Sequence, residues 1–147
     1  MENIFVINGP NLNMLDQRDK DIYGDSSIAK IEENCQKNAT KLDINVEFFQ
    51  SNFEGEIIEV IQNSIKKFDG IIINAAAYTH TSVAIRDALE LFKKPKVEIH
   101  ISNIFRREEF RKHSLISDVV DAVISGFGDS GYEIALSGIN NIINKSK

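Results

Sequence analysis

A chain of 147 residues is close to the commonest single-domain size and can bury one good core, so one domain spanning residues 1–147 is expected. Its composition, 42% hydrophobic and 27% charged with only two prolines, excludes long linkers and disordered tails. A net charge of −5 excludes the basic footprint of a nucleic-acid or anionic-membrane binder and leaves a small molecule as the expected partner.

The chain opens "MENIFVINGP", with an acid where a signal peptide carries positive charge and an apolar run too short for secretion or a bilayer; a cytoplasmic protein is expected. "NIFVIN" (3–8) is a short, continuous, β-branched run, the pattern of a strand covered on both faces, and "NGPNLN" follows it. The segment "DQRDKDIYGD" (16–25) is densely charged and lacks periodicity. It reads as a solvated loop, yet Arg18 and Tyr23 lie where the loop could fold over the residues after the first strand as a lid. A helix follows, capped near Ser26 or Ser27. Cys35 falls in phase with Ile28, Ile31 and Leu42 on it, so the lone cysteine reads as a small buried hydrophobe with no disulfide or thiolate metal site.

"INVEFF" (44–49) is the second strand, and "QSN" after it reads as a turn. Ile57, Ile61, Ile65 and Phe68 recur at helical spacing before the third strand, "GIIIN" (70–74), and its successor "NAAAYTHTS". A helix carrying Ala84, Ala88 and Leu91 leads to "KVEIHI" (96–101), a fourth strand in which Val97, Ile99 and Ile101 alternate with Glu98, His100 and Ser102. After "RREEFRKHS" and a short helix, "DAVIS" (121–125) is the fifth strand, and an amphipathic helix over about 130–144 ends the order. Strands separated by helices run parallel through right-handed crossovers, which predicts an α/β fold: an open doubly wound five-stranded parallel sheet with helices on both faces.

Ligands of such sheets bind beyond the carboxyl ends of the strands. Four strand ends here carry "NGPNLN", "QSN", "NAAAYTHTS" and "HISN", a concentration of amides, hydroxyls and imidazoles on one edge. Glu98 and His100 lie two apart, so their side chains emerge on one face about 7 Å apart, and the carboxylate can orient the imidazole as a general acid or base. The bland reading of that alternation is an edge strand with a solvated face. His80 also lies at a strand end, whereas His113 reads as a surface residue. No third Cys or His has a spacing that would complete a zinc site, so no metal is expected.

"GFGDSG" (126–131) spells G-x-G-x-x-G, but only one helix remains after it, so a tight turn is expected there and no nucleotide. Arg111 could supply a fixed positive charge to a carboxylate substrate. A receiver domain would need acids after the first strand, where this chain has "NGPN". A flavodoxin-like flavin-binding module is the alternative function.

"NGPNLNML", "R…IYG" (18–24), "QSNFEGEI", "YTHTSVAIRDA", "VEIHISN", "REEFRKHS" and "GFGDSGYEIAL", in that order from about residue 4 to 139, resemble the type II 3-dehydroquinate dehydratases (type II dehydroquinases). The resemblance implies a flavodoxin-like fold and a hydro-lyase of the shikimate pathway that converts 3-dehydroquinate to 3-dehydroshikimate through an enolate, with no metal and no cofactor, en route to chorismate and the aromatic amino acids. It implies that Tyr23 is the base on a lid at about 16–25, with Arg18 favouring its anion, and that Asn11 helps hold a water on the enolate. His100, supported by Glu98, would be the acid. Asn74, His80, Ile101, Ser102 and Arg111 would bind the substrate's carboxylate and hydroxyls, and Asp87 would reach a neighbouring subunit's site in a homododecamer built from trimers. The chain departs from the family's usual Gly at Asp16 and Pro at Lys20, and from its usual residues near Phe105 and Arg106. The additional lid acids Asp19, Asp21 and Asp25, with Asp16, would oppose the approach of an anionic substrate.

Overall fold

In a computed structural model describing Met1–Lys147, five parallel strands form one sheet: β1 (Asn3–Asn8), β2 (Asn45–Gln50), β3 (Gly70–Asn74), β4 (Lys96–His100) and β5 (Ala122–Ser125). Their order is β2-β1-β3-β4-β5. The chain therefore leaves β1 toward β2, crosses back to β3 on the other side, and continues outward. This is the flavodoxin-like order, and its switch point lies between β1 and β3.

Helices α2 (Ile28–Leu42) and α5 (Gly131–Lys145) cover one face, and α3 (Glu54–Ser64) and α4 (Val83–Leu91) cover the other. The two cores follow from the pleat. Ile4, Val6, Ile72, Val97 and Ile99 meet Ile31, Cys35 and Leu136 on the first face, while Phe5, Ile7, Ile71 and Ile73 meet Ile57, Ile61 and Leu89 on the second. Ile71, Ile72 and Ile73 are fully buried, each worth about 1.5–3 kcal/mol, so β3 is a firm base for the residues that leave its end. No helix is long and apolar enough to cross a membrane.

The caps explain where the helices begin. Ser27 Oγ accepts the Lys30 N–H at 3.2 Å to start α2, and Ser82 Oγ accepts the Ile85 N–H at 2.9 Å to start α4. Several boundaries differ from the sequence reading. β2 is shifted by one residue to end at Gln50, and β4 ends at His100, which places Ile101 and Ser102 beyond the strand. β4 is an interior strand between β3 and β5 with all five residues buried, so Glu98 and His100 do not belong to a solvated edge. The expected short helix before β5 is three separate 3₁₀ turns, Ile104–Arg106, Glu109–Lys112 and Ser117–Val119.

The charged segment at 16–25 is also more ordered than a solvated loop. A 3₁₀ stretch, Leu12–Gln17, anchors itself through buried Leu12 and Leu15, and a one-turn helix α1 (Lys20–Tyr23) starts at Asp19, whose Oδ1 accepts the Asp21 N–H at 3.0 Å. Apolar periodicity cannot reveal such pieces, because one turn is too short to repeat.

At the switch point the loops after β1 and β3 touch. Gly9 donates its N–H to the Asn74 carbonyl at 2.8 Å, and a Cβ on Gly9 would lie 2.6 Å from the Ala75 carbonyl oxygen. Backbone cannot move aside as a flexible side chain would, so Gly9→Ala should destabilise the fold by about 1–3 kcal/mol, the range for overpacking. A urea titration with an unchanged midpoint would contradict this.

Candidate active site

The strand ends converge on a cavity of about 110 Å³ at the switch point. The loop after β1 contributes Pro10, Asn11 and Leu12, the segment 16–25 contributes Arg18 and Tyr23, and the loop after β3 contributes Asn74, Ala76, Ala77 and His80. The end of β4 and its loop complete the walls with His100, Ile101, Ser102, Ile104, Arg107 and Arg111. Of the residues expected from sequence, Asn11, Arg18, Tyr23, Asn74, His80, His100, Ile101, Ser102 and Arg111 are thus brought together. Glu98 stands directly behind His100. Asp87 does not join them: it is exposed on α4 and lines no wall of this cavity.

An imidazole–carboxylate pair is built on β4. The Nε2–H of His100 donates to Glu98 Oε2, which leaves Nδ1 as the ring nitrogen not engaged by Glu98. Glu98 is completely buried, and its second oxygen accepts from the Ser117 hydroxyl at 2.5 Å and the Ser114 hydroxyl at 3.2 Å. Burial pushes this carboxyl up, but donation from His100, Ser117 and Ser114 outweighs it, and the net position is below the usual carboxylate value.

His80 lies beside this pair, 6.3 Å from His100 between ring centroids. Its Nδ1–H donates to the His113 carbonyl at 2.8 Å, so Nε2 is the free nitrogen. Burial pushes its imidazole down from the ordinary value, with the nearby His100 and Arg111 adding to that effect against the His113 bond. His80 is therefore a neutral hydrogen-bonding group near pH 7. The side chain of His113 is exposed, as read from sequence, while its carbonyl fixes the His80 tautomer.

Tyr23 is buried at the end of α1 beside two guanidinium groups. Arg18 donates to the phenolic oxygen and has its Cζ 3.9 Å from the ring centroid, and Arg107 has its Cζ 5.1 Å from the same centroid. Gly24, with φ +74, ends the short helix and lets the chain turn away. The Arg107 Nη1 donates to Ser102 Oγ at 3.3 Å, and its buried Nε has no hydrogen-bond partner. Arg111 is tethered by its Nε to Glu108 at 2.9 Å. A guanidinium with spare donors beside a small cavity suits an anionic ligand.

Asn11 adopts a left-handed backbone, φ +68, and its N–H donates to Asn52 Oδ1 at 2.9 Å. Asn74 is held from behind, since its Nδ2 donates to the Tyr132 hydroxyl at 3.0 Å and that hydroxyl donates to Asn8 Oδ1 at 2.6 Å. Burial pushes the Tyr132 hydroxyl up, so it remains a neutral donor. "GFGDSG" is a turn, with Gly126 at φ +96 and Gly128 at φ +66; the Gly128 N–H donates to the Ile101 carbonyl at 2.9 Å and so fixes one wall of the site.

Sequence reasoning missed Arg107, Asn52, Ser114, Ser117 and Tyr132. "QSN" looked like an ordinary turn, and Ser114 and Ser117 carried no signal beyond an S-x-x-S spacing. A larger cleft of about 560 Å³ lies beyond Tyr23, between the segment 21–26 and the Gly126–Asp129 turn, and shares Tyr23, Ile101, Ser102 and Arg107 with the first. His100, backed by Glu98, lines only the smaller cavity.

The Glu98 network makes a signed prediction. Because its carboxyl sits below the usual value in the folded state, the stability it contributes is present above about pH 4.5, the ordinary value, and is lost as pH falls toward the folded one. The difference in unfolding free energy between the wild-type chain and Glu98→Gln should therefore narrow between pH 6 and pH 3.5 in urea titrations. A gap that stays constant or widens on acidification would contradict it.

The dehydroquinase class II family model matches residues 2–140. A 3-dehydroquinate dehydratase of Prochlorococcus marinus (strain MIT 9301) is 55% identical over 139 residues, covering 95% of each chain. The type II dehydroquinase structures from Butyrivibrio crossotus and Propionibacterium acnes superpose with a TM-score of 0.92 each, at 45% and 38% identity. The first covers 95% of this chain and 97% of its own, and the second 96% and 97%. With the sheet order, the cavity at its switch point and these matches in agreement along nearly the whole length, the chain belongs to the class II dehydroquinase family.

Proposed function

We propose that this chain is a 3-dehydroquinate dehydratase, a hydro-lyase that removes water from 3-dehydroquinate to give 3-dehydroshikimate through an enolate. Family membership supports the reaction. One observation carries the assignment of residues: a phenol with an adjacent guanidinium and an imidazole with an adjacent carboxylate line the same small cavity.

Elimination next to a ketone needs a base for the C–H, a partner for the enolate oxygen and an acid for the departing hydroxyl. Tyr23, as tyrosinate, takes the proton from the carbon beside the carbonyl, and the electron pair moves onto the carbonyl oxygen. Arg18, which donates to the phenolic oxygen, stabilises the anion that does this. Asn11 holds a water against the enolate oxygen. As the enolate collapses, the C–O bond breaks and His100 gives its proton to the hydroxyl, which leaves as water, while Glu98 stabilises the imidazolium before transfer. Proton return from the tyrosine to the imidazole through solvent completes the cycle.

Arg111, His80 and Asn74, with Ser102 and the backbone at Ile101, bind the carboxylate and hydroxyls of the substrate. The residues present are enough for this proton chemistry with no metal or cofactor. The same reading makes residues 1–147 one catalytic domain of a cytoplasmic enzyme in chorismate formation, and the buried Cys35 thiol, pushed up to about 12 by burial, is suited to a reducing compartment. Asp87, exposed on α4, completes a neighbour's site in a dodecamer of trimers.

The direct test is the purified chain with 3-dehydroquinate, followed by the ultraviolet absorbance of the conjugated product; no rise from folded protein would overturn the assignment. His100→Ala should lower kcat by about 10²-fold or more, the scale of a lost general acid. Tyr23→Phe should nearly abolish kcat with little change in KM, and Arg18→Gln should retain activity that recovers as pH rises, its acidic limb displaced upward. An unshifted acidic limb in Arg18→Gln would remove that role from Arg18.

Assembly gives an independent test. Light scattering should report a mass many times 16.6 kDa, and a fully active monomer would refute the site shared through Asp87.

A further inference from the structure

The direction of the hydrogen bonds around Glu98 is fixed from outside the cavity. Ser114 Oγ accepts the backbone N–H groups of Ile116 at 3.2 Å and Ser117 at 3.1 Å, so both of its lone pairs are occupied and its one proton points to Glu98 Oε1 at 3.2 Å. Ser117 directs its hydroxyl to the same oxygen at 2.5 Å. The other oxygen faces the imidazole N–H. Every group around this buried carboxyl thus donates to it, which favours its anion. No lysine or arginine pairs with it; its one ion-pair partner is His100, when the imidazole is protonated. The other charged or titratable groups facing the pair are His80, from the 3₁₀ turn Ala76–His80, and Arg111, from the turn Glu109–Lys112.

We propose that Ser117, with Ser114 behind it, is a positioning residue that keeps Glu98 an anion with Oε2 aimed at His100, so that the imidazole can carry a second proton toward the substrate. This rests on the assignment of His100 as the acid. Without the two hydroxyls, a carboxyl with no solvent exposure reverts toward its neutral form. It would then donate to the imidazole, lock it neutral, and remove the proton that the leaving hydroxyl needs.

The pH dependence of kcat decides the matter, because a structural role alone would lower the yield of folded enzyme without moving a limb. Ser117→Ala should lower kcat at neutral pH about tenfold, because the proton of the pair moves onto Glu98, and should move the basic limb about one unit toward higher pH, because the fully deprotonated pair loses the same donor; one unit is a tenfold change in the protonation equilibrium. KM should stay within about twofold, since no group touching substrate is altered. Ser117→Thr, which keeps the hydroxyl, should restore the profile. Carbon-13 spectra of the Glu98 carboxyl should titrate at higher pH in Ser117→Ala than in the wild-type chain. A folded Ser117→Ala with an unmoved basic limb, or a Glu98 carboxyl that titrates unchanged, would overturn the proposal. Should Ser117→Ala not fold, Ser117→Cys, a weaker donor at the same place, is held to the same two readouts. His100→Ala run alongside separates the two levels: if it retains normal kcat the acid has been misassigned, while the Glu98 titration still reports whether the serines hold the charge.

Discussion

Glu98 sits on an interior strand of a parallel sheet with no solvent exposure, and the rest of the site is arranged around that fact. Removing a carboxylate from water costs several kcal/mol even after relaxation. Hydrogen bonds to a charged group return about 1.5–3 kcal/mol each, so the donors His100, Ser114 and Ser117 together are of the right size to offset it. Any two of them are marginal. The irregular segment between β4 and β5 is therefore required as much as the strand, because its turns bring both serines back over the sheet face that α3 and α4 otherwise cover. Ile116, between them in sequence and fully buried in the core of that face, anchors the segment there.

The second constraint is the reversal of strand order between β1 and β3. It opens a crevice that neither crossover helix fills, and the tight contact of Gly9 with Ala75 fixes its floor. Asn74 leaves the end of β3 toward the α2/α5 face, where the Tyr132 hydroxyl meets it, whereas His100 leaves β4 from the α3/α4 side. The cavity thus draws its polar groups from both layers of the fold, and each is backed by the core on its own side.

How much of this was legible in the sequence follows from what each signal encodes. Continuous β-branched runs and helical periods report burial, so all five strands and the four long helices could be read, with strand ends misplaced by a residue or so and the helical period before β3 running past the end of α3 at Ser64 to Ile65 and Phe68. Glu98 and His100 were legible because they interrupt the continuous apolar run expected of a buried parallel strand. Ser114 and Ser117 were not, since two small polar residues in a loop look the same whether they face water or a buried carboxylate. Arg107 was hidden among neighbouring arginines; only the fold shows that it, and not Arg106, reaches Ser102 and the Tyr23 ring. The exposed Asp87 lay within a motif of the family and joins nothing in its own chain's cavity.

The two halves of the proposed proton chemistry differ in rigidity. His100 and Glu98 belong to the sheet and are organised before any ligand arrives, whereas Tyr23 is carried on a single turn of helix between Asp19 and Gly24. One turn contributes almost nothing by propensity, so the position of the phenol depends on its own burial and on Arg18. The two departures from the family's usual lid residues can be weighed on that basis. Lys20 is the first residue of α1, directly after the capping Asp19. Proline is favoured there only because its ring presets the backbone and its missing N–H would be unpaired anyway. Lysine keeps the helical geometry and loses that preorganisation alone. Its ion pair with Asp25, at 3.0 Å, is largely exposed on both sides and contributes little. Asp16 lies in the 3₁₀ stretch fixed by Leu12 and Leu15, exposed and outside the cavity wall. Neither change touches the Arg18–Tyr23 contact, so what they alter is the conformational entropy of the free segment and not the geometry of that contact.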